Sequence, residues 1–139
     1  MLVAILLAVL LIPCCGGLGL LAWKAWKTGA DSPNEAISEL FQALKYDDID
    51  RLSNSLCASD RSESADIIQN FRSGLEMGGF ELQTITWQRS GDNNTGKQSI
   101  DYTLAVSKDT KRYKIQRNAK LQLVEERGWR VCDVTGLKI

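Results

Sequence analysis

From Met1 to Trp23 the chain carries no charged side chain, and the apolar run closes on Trp23-Lys24-Ala25-Trp26-Lys27. At 1.5 Å per residue a helix of that length covers roughly 30 Å, the thickness of a bilayer's hydrocarbon core. Residues 1–26 are therefore expected to form a transmembrane signal-anchor helix kinked at Pro13, with 27–31 as a linker and one small domain over 32–139. Ala4, Ala8, Cys15, Gly19 and Ala22 fall near one face of that helix and would let a second helix approach closely. Two other readings of the stretch stay open. Cys14-Cys15 suits a lipid anchor, although Pro13 stands where such signals need a small residue. Thr28-Gly29-Ala30 suits a cleavage site, although a basic leader is missing and the run is long.

The charges beside the run and the cysteines beyond it point to opposite topologies. Lys24 and Lys27 would keep the following domain in the cytoplasm. Cys57 and Cys132 are the two cysteines of the domain, and an even pair in a small extracytoplasmic domain reads as a disulfide. Two free core cysteines in a reducing compartment are the other reading. The disulfide is preferred, and with it an outward-facing domain.

From Asp31 onward the chain has 15 basic against 17 acidic side chains, a formal balance of −2. Nucleic acid is a poor partner for such a balance, since phosphate binding wants a basic excess. Histidine is absent, which removes the commonest general base and the commonest metal ligand. The sequence has no Cys or His cluster with metal spacing and no phosphate-cradling glycine loop, so neither a metal nor a cofactor is expected. Asn93-Asn94-Thr95 matches a glycosylation sequon, which counts only in a eukaryotic secretory pathway.

Ser32-Pro33-Asn34-Glu35 predicts a helix start: a serine N-cap, proline at the first helical position, and a glutamate placed for a capping box. Ile37, Leu40, Phe41 and Leu44 then mark one helical face. Asp47 or Asp48 is expected to cap a short second helix carrying Ile49, Leu52 and Leu56, a role that explains these acids without a ligand. A third helix carries Ala65, Ile68, Phe71 and Leu75 and stops at Gly78-Gly79. The period then changes to that of strands. Phe80–Arg89 is followed by turn residues, by the alternation Ile100, Tyr102, Leu104, Val106, by Tyr113 to Leu123, and by Trp129 to Val134. The expected fold class is α+β: a transmembrane helix, then three helices on one face of a four-stranded antiparallel curved sheet.

Pro33, Ala36, Phe41, Leu44, Asp48 and Leu52, with the strand Gly128-Trp129-Arg130-Val131-Cys132-Asp133-Val134, resemble the nuclear transport factor 2-like (cystatin-like) superfamily of α+β cones, in its small membrane-anchored bacterial forms. The resemblance covers residues 32–135. It implies a cone whose pocket, between helices and sheet, serves enzymes through an aspartate often helped by histidine or tyrosine. This chain departs from that pattern in having no histidine.

Arg117, Asp133 and Tyr102 are the candidate pocket residues. Arg117 shares strand parity with Ile115, Ala119 and Leu121, and inside a cone it would need a carboxylate or an anionic ligand; a bulge or an exposed rim position is the preferred reading. Asp101 shares parity with Ser99 and Thr103 and is expected to face water. Asp133 is expected to point away from the pocket if Cys132 points toward the helices. Trp87 and Trp129 read as sheet core or as contact platforms. The expected function is a membrane-anchored, non-catalytic, extracytoplasmic domain of a bacterial envelope, binding other envelope proteins or a small apolar ligand. The competing expectation is a small dehydratase or isomerase with a carboxylate base.

Overall fold

The computed structural model describes residues 29–91 and 94–139. Three helices come first: α1 (Pro33–Tyr46), α2 (Ile49–Ser55) and, after a 3-10 turn at Arg61–Glu63, α3 (Ser64–Gly78). Four strands follow, β1 (Glu81–Ser90), β2 (Gly96–Lys108), β3 (Lys111–Glu125) and β4 (Trp129–Thr135). They form one antiparallel meander in the order β1-β2-β3-β4.

The α+β domain is as the patterning predicts, but the architecture with a leading transmembrane helix is corrected. Among the described residues no helix is long and apolar enough to cross a membrane. The longest, α3, has 15 residues, where a span needs about 20, and α1 and α3 each turn a polar side to solvent. The run 1–26, with Pro13 and Cys14-Cys15, lies outside the described residues, as does Asn93 of the sequon.

Local chemistry sets the helix boundaries. The Ser32 hydroxyl accepts from the Glu35 amide at 3.1 Å and so satisfies a first-turn donor, while the Glu35 carboxylate accepts from the Asp31 amide at 2.8 Å, one residue before the N-cap amide that a capping box would use. Asp48 caps α2 by accepting from the Arg51 amide at 3.0 Å. Asp47 instead ends α1 in the left-handed region.

One apolar seam fills the space between the helices and the sheet. Ile37, Leu40 and Leu44 of α1 and Phe71 of α3 meet Ile100, Leu104, Ala119 and Val131 of the strands, all fully buried. A bulge in β1 between Leu82 and Thr84 lets both Leu82 and Ile85 turn toward this core. Beyond β4 the chain returns across the helix side of the sheet: Leu137 is buried in the core, and Ile139 reaches α3 at Gly74.

The outer edge of β4 is closed. Trp129 exchanges backbone hydrogen bonds with Ala30, Val131 accepts from the Cys57 amide at 3.0 Å, and the Asp133 amide donates to the Asp60 carboxylate at 2.8 Å.

Candidate functional site

The sheet register decides what each candidate side chain can reach. Trp87, Tyr102 and Arg117 stand side by side on β1, β2 and β3, on the helix side of the sheet. Phe41 of α1 lies over this row, its ring 5.3 Å from that of Tyr102 and 6.3 Å from that of Trp87. Tyr102 is 1% exposed, and its hydroxyl donates to the Gly136 carbonyl at 3.0 Å. Burial pushes its pKa up to about 12, against a smaller opposing influence from the Arg117 charge. Such a phenol stays protonated at neutral pH and serves as a fixed donor. Arg117 is exposed at the end of the row and donates to the neighbouring Gln116 carbonyl at 2.9 Å.

The alternate residues make the other face of the sheet, and that face is polar. Thr86, Thr103 and Gln116 form one row and Gln88, Asp101 and Asn118 the next. Together they line a shallow groove of about 690 Å³, with Trp87, Tyr102 and Arg117 as its floor. The Asn118 amide spans it, donating to Asp101 and to Ser99 at 2.7 Å each, so Asp101 is exposed and already hydrogen-bonded. Asp133 belongs to a separate groove on the same face, with Lys97, Ser99, Lys120 and Gln122. It is exposed, and its backbone takes the left-handed region where the β3–β4 register shifts. Arg117 and Tyr102 are thus neighbours, and Asp133 lies elsewhere.

Cys57 and Cys132 stand at disulfide distance, with Cα atoms 5.2 Å apart at a sequence separation of 75. The pair lies on the far side of β4 from the helices. Val131 occupies the core, whereas Cys132 pairs with Gln122 of the outer face. Leu56 and Cys57 run beside β4 as an extra extended segment, which sends Leu56 inward and Cys57 toward Cys132.

Arg130 was not a sequence candidate, since its parity points it out of the core. It is nonetheless 2% exposed. Its guanidinium donates to the Glu126 carbonyl at 2.9 Å and to the Asn54 carbonyl, joining the β3–β4 turn to the end of α2. Burial, helped by the nearby Arg61 charge, lowers its pKa from the usual arginine value. No sequence signal marks this burial, because it comes from the segment after α2 wrapping the strand.

Residues 31–80 carry 4 basic and 10 acidic side chains, whereas residues 81–139 carry 11 and 7. The helical layer is therefore the negative side of the domain and the sheet the positive one. Among the described residues no cluster of His, Cys, Asp and Glu could hold a metal ion. Fold and surface together define a small α+β domain with a packed interior and a polar, grooved outer sheet face. No family model matches the chain, and no curated protein matches it.

Proposed function

We propose that this is a non-catalytic, extracytoplasmic interaction domain of a bacterial envelope, held at the outer side of the cytoplasmic membrane and acting through protein contacts. We read its fold as a cone of the nuclear transport factor 2-like kind, from the order of capped helices and a long meander ending in a tryptophan strand.

The observation that carries the reading is the packing of Phe41, Trp87 and Tyr102 on one another where a cone would otherwise hold a ligand. This favours a protein partner over a small apolar ligand. The central groove of the outer face supports it from the other side: its threonine, glutamine and asparagine side chains supply many hydrogen-bonding groups, as a contact surface needs. The outward compartment rests on Cys57 and Cys132, since bridged cysteines persist in oxidising surroundings.

The test is photo-crosslinking in native membranes from probes placed at Thr103 and Gln116, with thiol labelling before and after reduction. Protein adducts, together with thiols that react only after reduction, support the reading. Adducts to nothing, or thiols free from the start, overturn its contact and its compartment respectively.

A further inference from the structure

The two edges of the sheet are treated in opposite ways. On β4 three successive outward-facing positions, Trp129, Val131 and Asp133, have their backbone groups engaged by Ala30, Cys57 and Asp60. On β1 no backbone group of Thr84–Gln88 bonds to anything beyond β2 among the described residues. Free edges in stable proteins are ordinarily blunted by lysine, proline or a bulge. Beyond the bulge at Gln83, the stretch Thr84-Ile85-Thr86-Trp87-Gln88 has none of these and no charge. Its Ile85 and Trp87 are only partly buried, so the rim of the core is open along this edge.

We propose that β1 is a self-association edge, on which the β1 strand of a second copy of this chain pairs antiparallel to give one continuous eight-stranded sheet. A two-fold axis through Thr86 sets the register. Trp87 then opposes Ile85 of the other copy on the helix side, twice over, and the two apolar rims close on each other. On the outer side Gln88 opposes Thr84. The charged residues of β1, Glu81 and Arg89, fall opposite Gly91 and Gln83, so no like charges meet. An axis through Trp87 would instead set Ile85 against Arg89, which is why the Thr86 axis is chosen. The pairing does not depend on the compartment, and its failure would leave the reading of the outer face intact.

The test is the mass of the full chain by light scattering in nonionic detergent. The wild-type chain is expected at twice its 15.4 kDa. Thr84→Lys with Gln88→Lys, both at exposed outer-face positions, sets lysine against lysine twice. It is expected to raise the dimer dissociation constant about tenfold or more. Thr84→Lys with Gln88→Glu sets opposite charges in the same places and is expected to restore the dimer. Circular dichroism of each variant checks that the fold is kept. A wild-type chain that is monomeric overturns the proposal. So does a dimer that survives the double lysine change, which would place the contact elsewhere in the chain, or a double lysine monomer that the charge-paired variant fails to rescue.

Discussion

Gly29 and Gly128 lie backbone against backbone: a side-chain carbon on Gly29 would come within 2.7 Å of the Gly128 carbonyl carbon, and one on Gly128 within 2.6 Å of Gly29. The contact seats the start of the described chain on the β3–β4 turn, where the Gly29 amide donates to the Arg127 carbonyl at 2.8 Å. Gly128 also has a φ of +104°. Gly91 is the natural control, with a φ of +99° and, among the described residues, nothing within 4 Å of an added carbon. Gly91→Ala is expected to cost about 1 kcal/mol, from backbone strain alone. Gly128→Ala is expected to cost roughly 3 kcal/mol or more, because rigid backbone must also move. The difference in urea midpoints measures the contact.

The Tyr102 phenol gives the domain an alkaline weakness. Its folded pKa of about 12 lies above the ordinary value of 10.0, so the folded state holds a proton that the unfolded chain gives up. That stabilisation is full below pH 10 and is lost as pH rises toward 12. Tyr102→Phe is expected to cost about 1 kcal/mol at pH 7, from the lost bond to Gly136. It is also expected to flatten the fall in stability between pH 10 and 12, as read from denaturation midpoints of both proteins.

Reduction of the Cys57–Cys132 pair opens a closed loop of 75 residues. The chain-entropy relation puts the loss at about 4 kcal/mol. Cys57→Ser with Cys132→Ser is expected to lower stability by a similar amount and to make it insensitive to reductant.

Arg130 offers no neutral substitution of equal shape. Truncation to alanine leaves the Glu126 and Asn54 carbonyls without their donor beneath a wrapped segment, at an expected cost of roughly 3 kcal/mol. Lysine, with a single donor centre, is expected to recover less than half of it.

The two-residue loop between β2 and β3 places Asp109 and Thr110 at φ values of 49° and 65°. A β-branched residue fits such a conformation poorly, and hairpin loops of this kind prefer glycine second. Thr110→Gly is expected to stabilise by about 0.5 kcal/mol and raise the thermal midpoint.

Much of this fold can be read from short-range chemistry. Ser32, Pro33 and Glu35 announce α1 because capping acts over three residues, and the alternation from Ile100 to Val106 announces β2 because burial on one face has a period of two. The parity of Arg117 was legible for the same reason. Its exposed position is the rim reading that the sequence offers, and the structure shows it beyond the cover of Phe41 and the Gly136–Ile139 segment. The burial of Arg130, the bulge at Gln83 and the closing of β4 by Ala30 and Cys57 were hidden. Each is made by partners distant in sequence, and nothing in the local pattern encodes them.

The engagement of β4 by Ala30 also fixes how the domain carries load. A pull on the residues before Gly29 arrives at Trp129, in the strand that Cys132 staples to Cys57. Everything between those cysteines, β1 included, sits inside the covalent loop and is spared extension. Apart from the seven residues after Cys132, the chain that can pay out runs from Gly29 to Leu56, roughly 100 Å when fully drawn. The disulfide thus caps how far the chain can lengthen under load, while the pay-out of α1 draws Ile37, Leu40, Phe41 and Leu44 from the core and so strips the sheet of the layer that covers it.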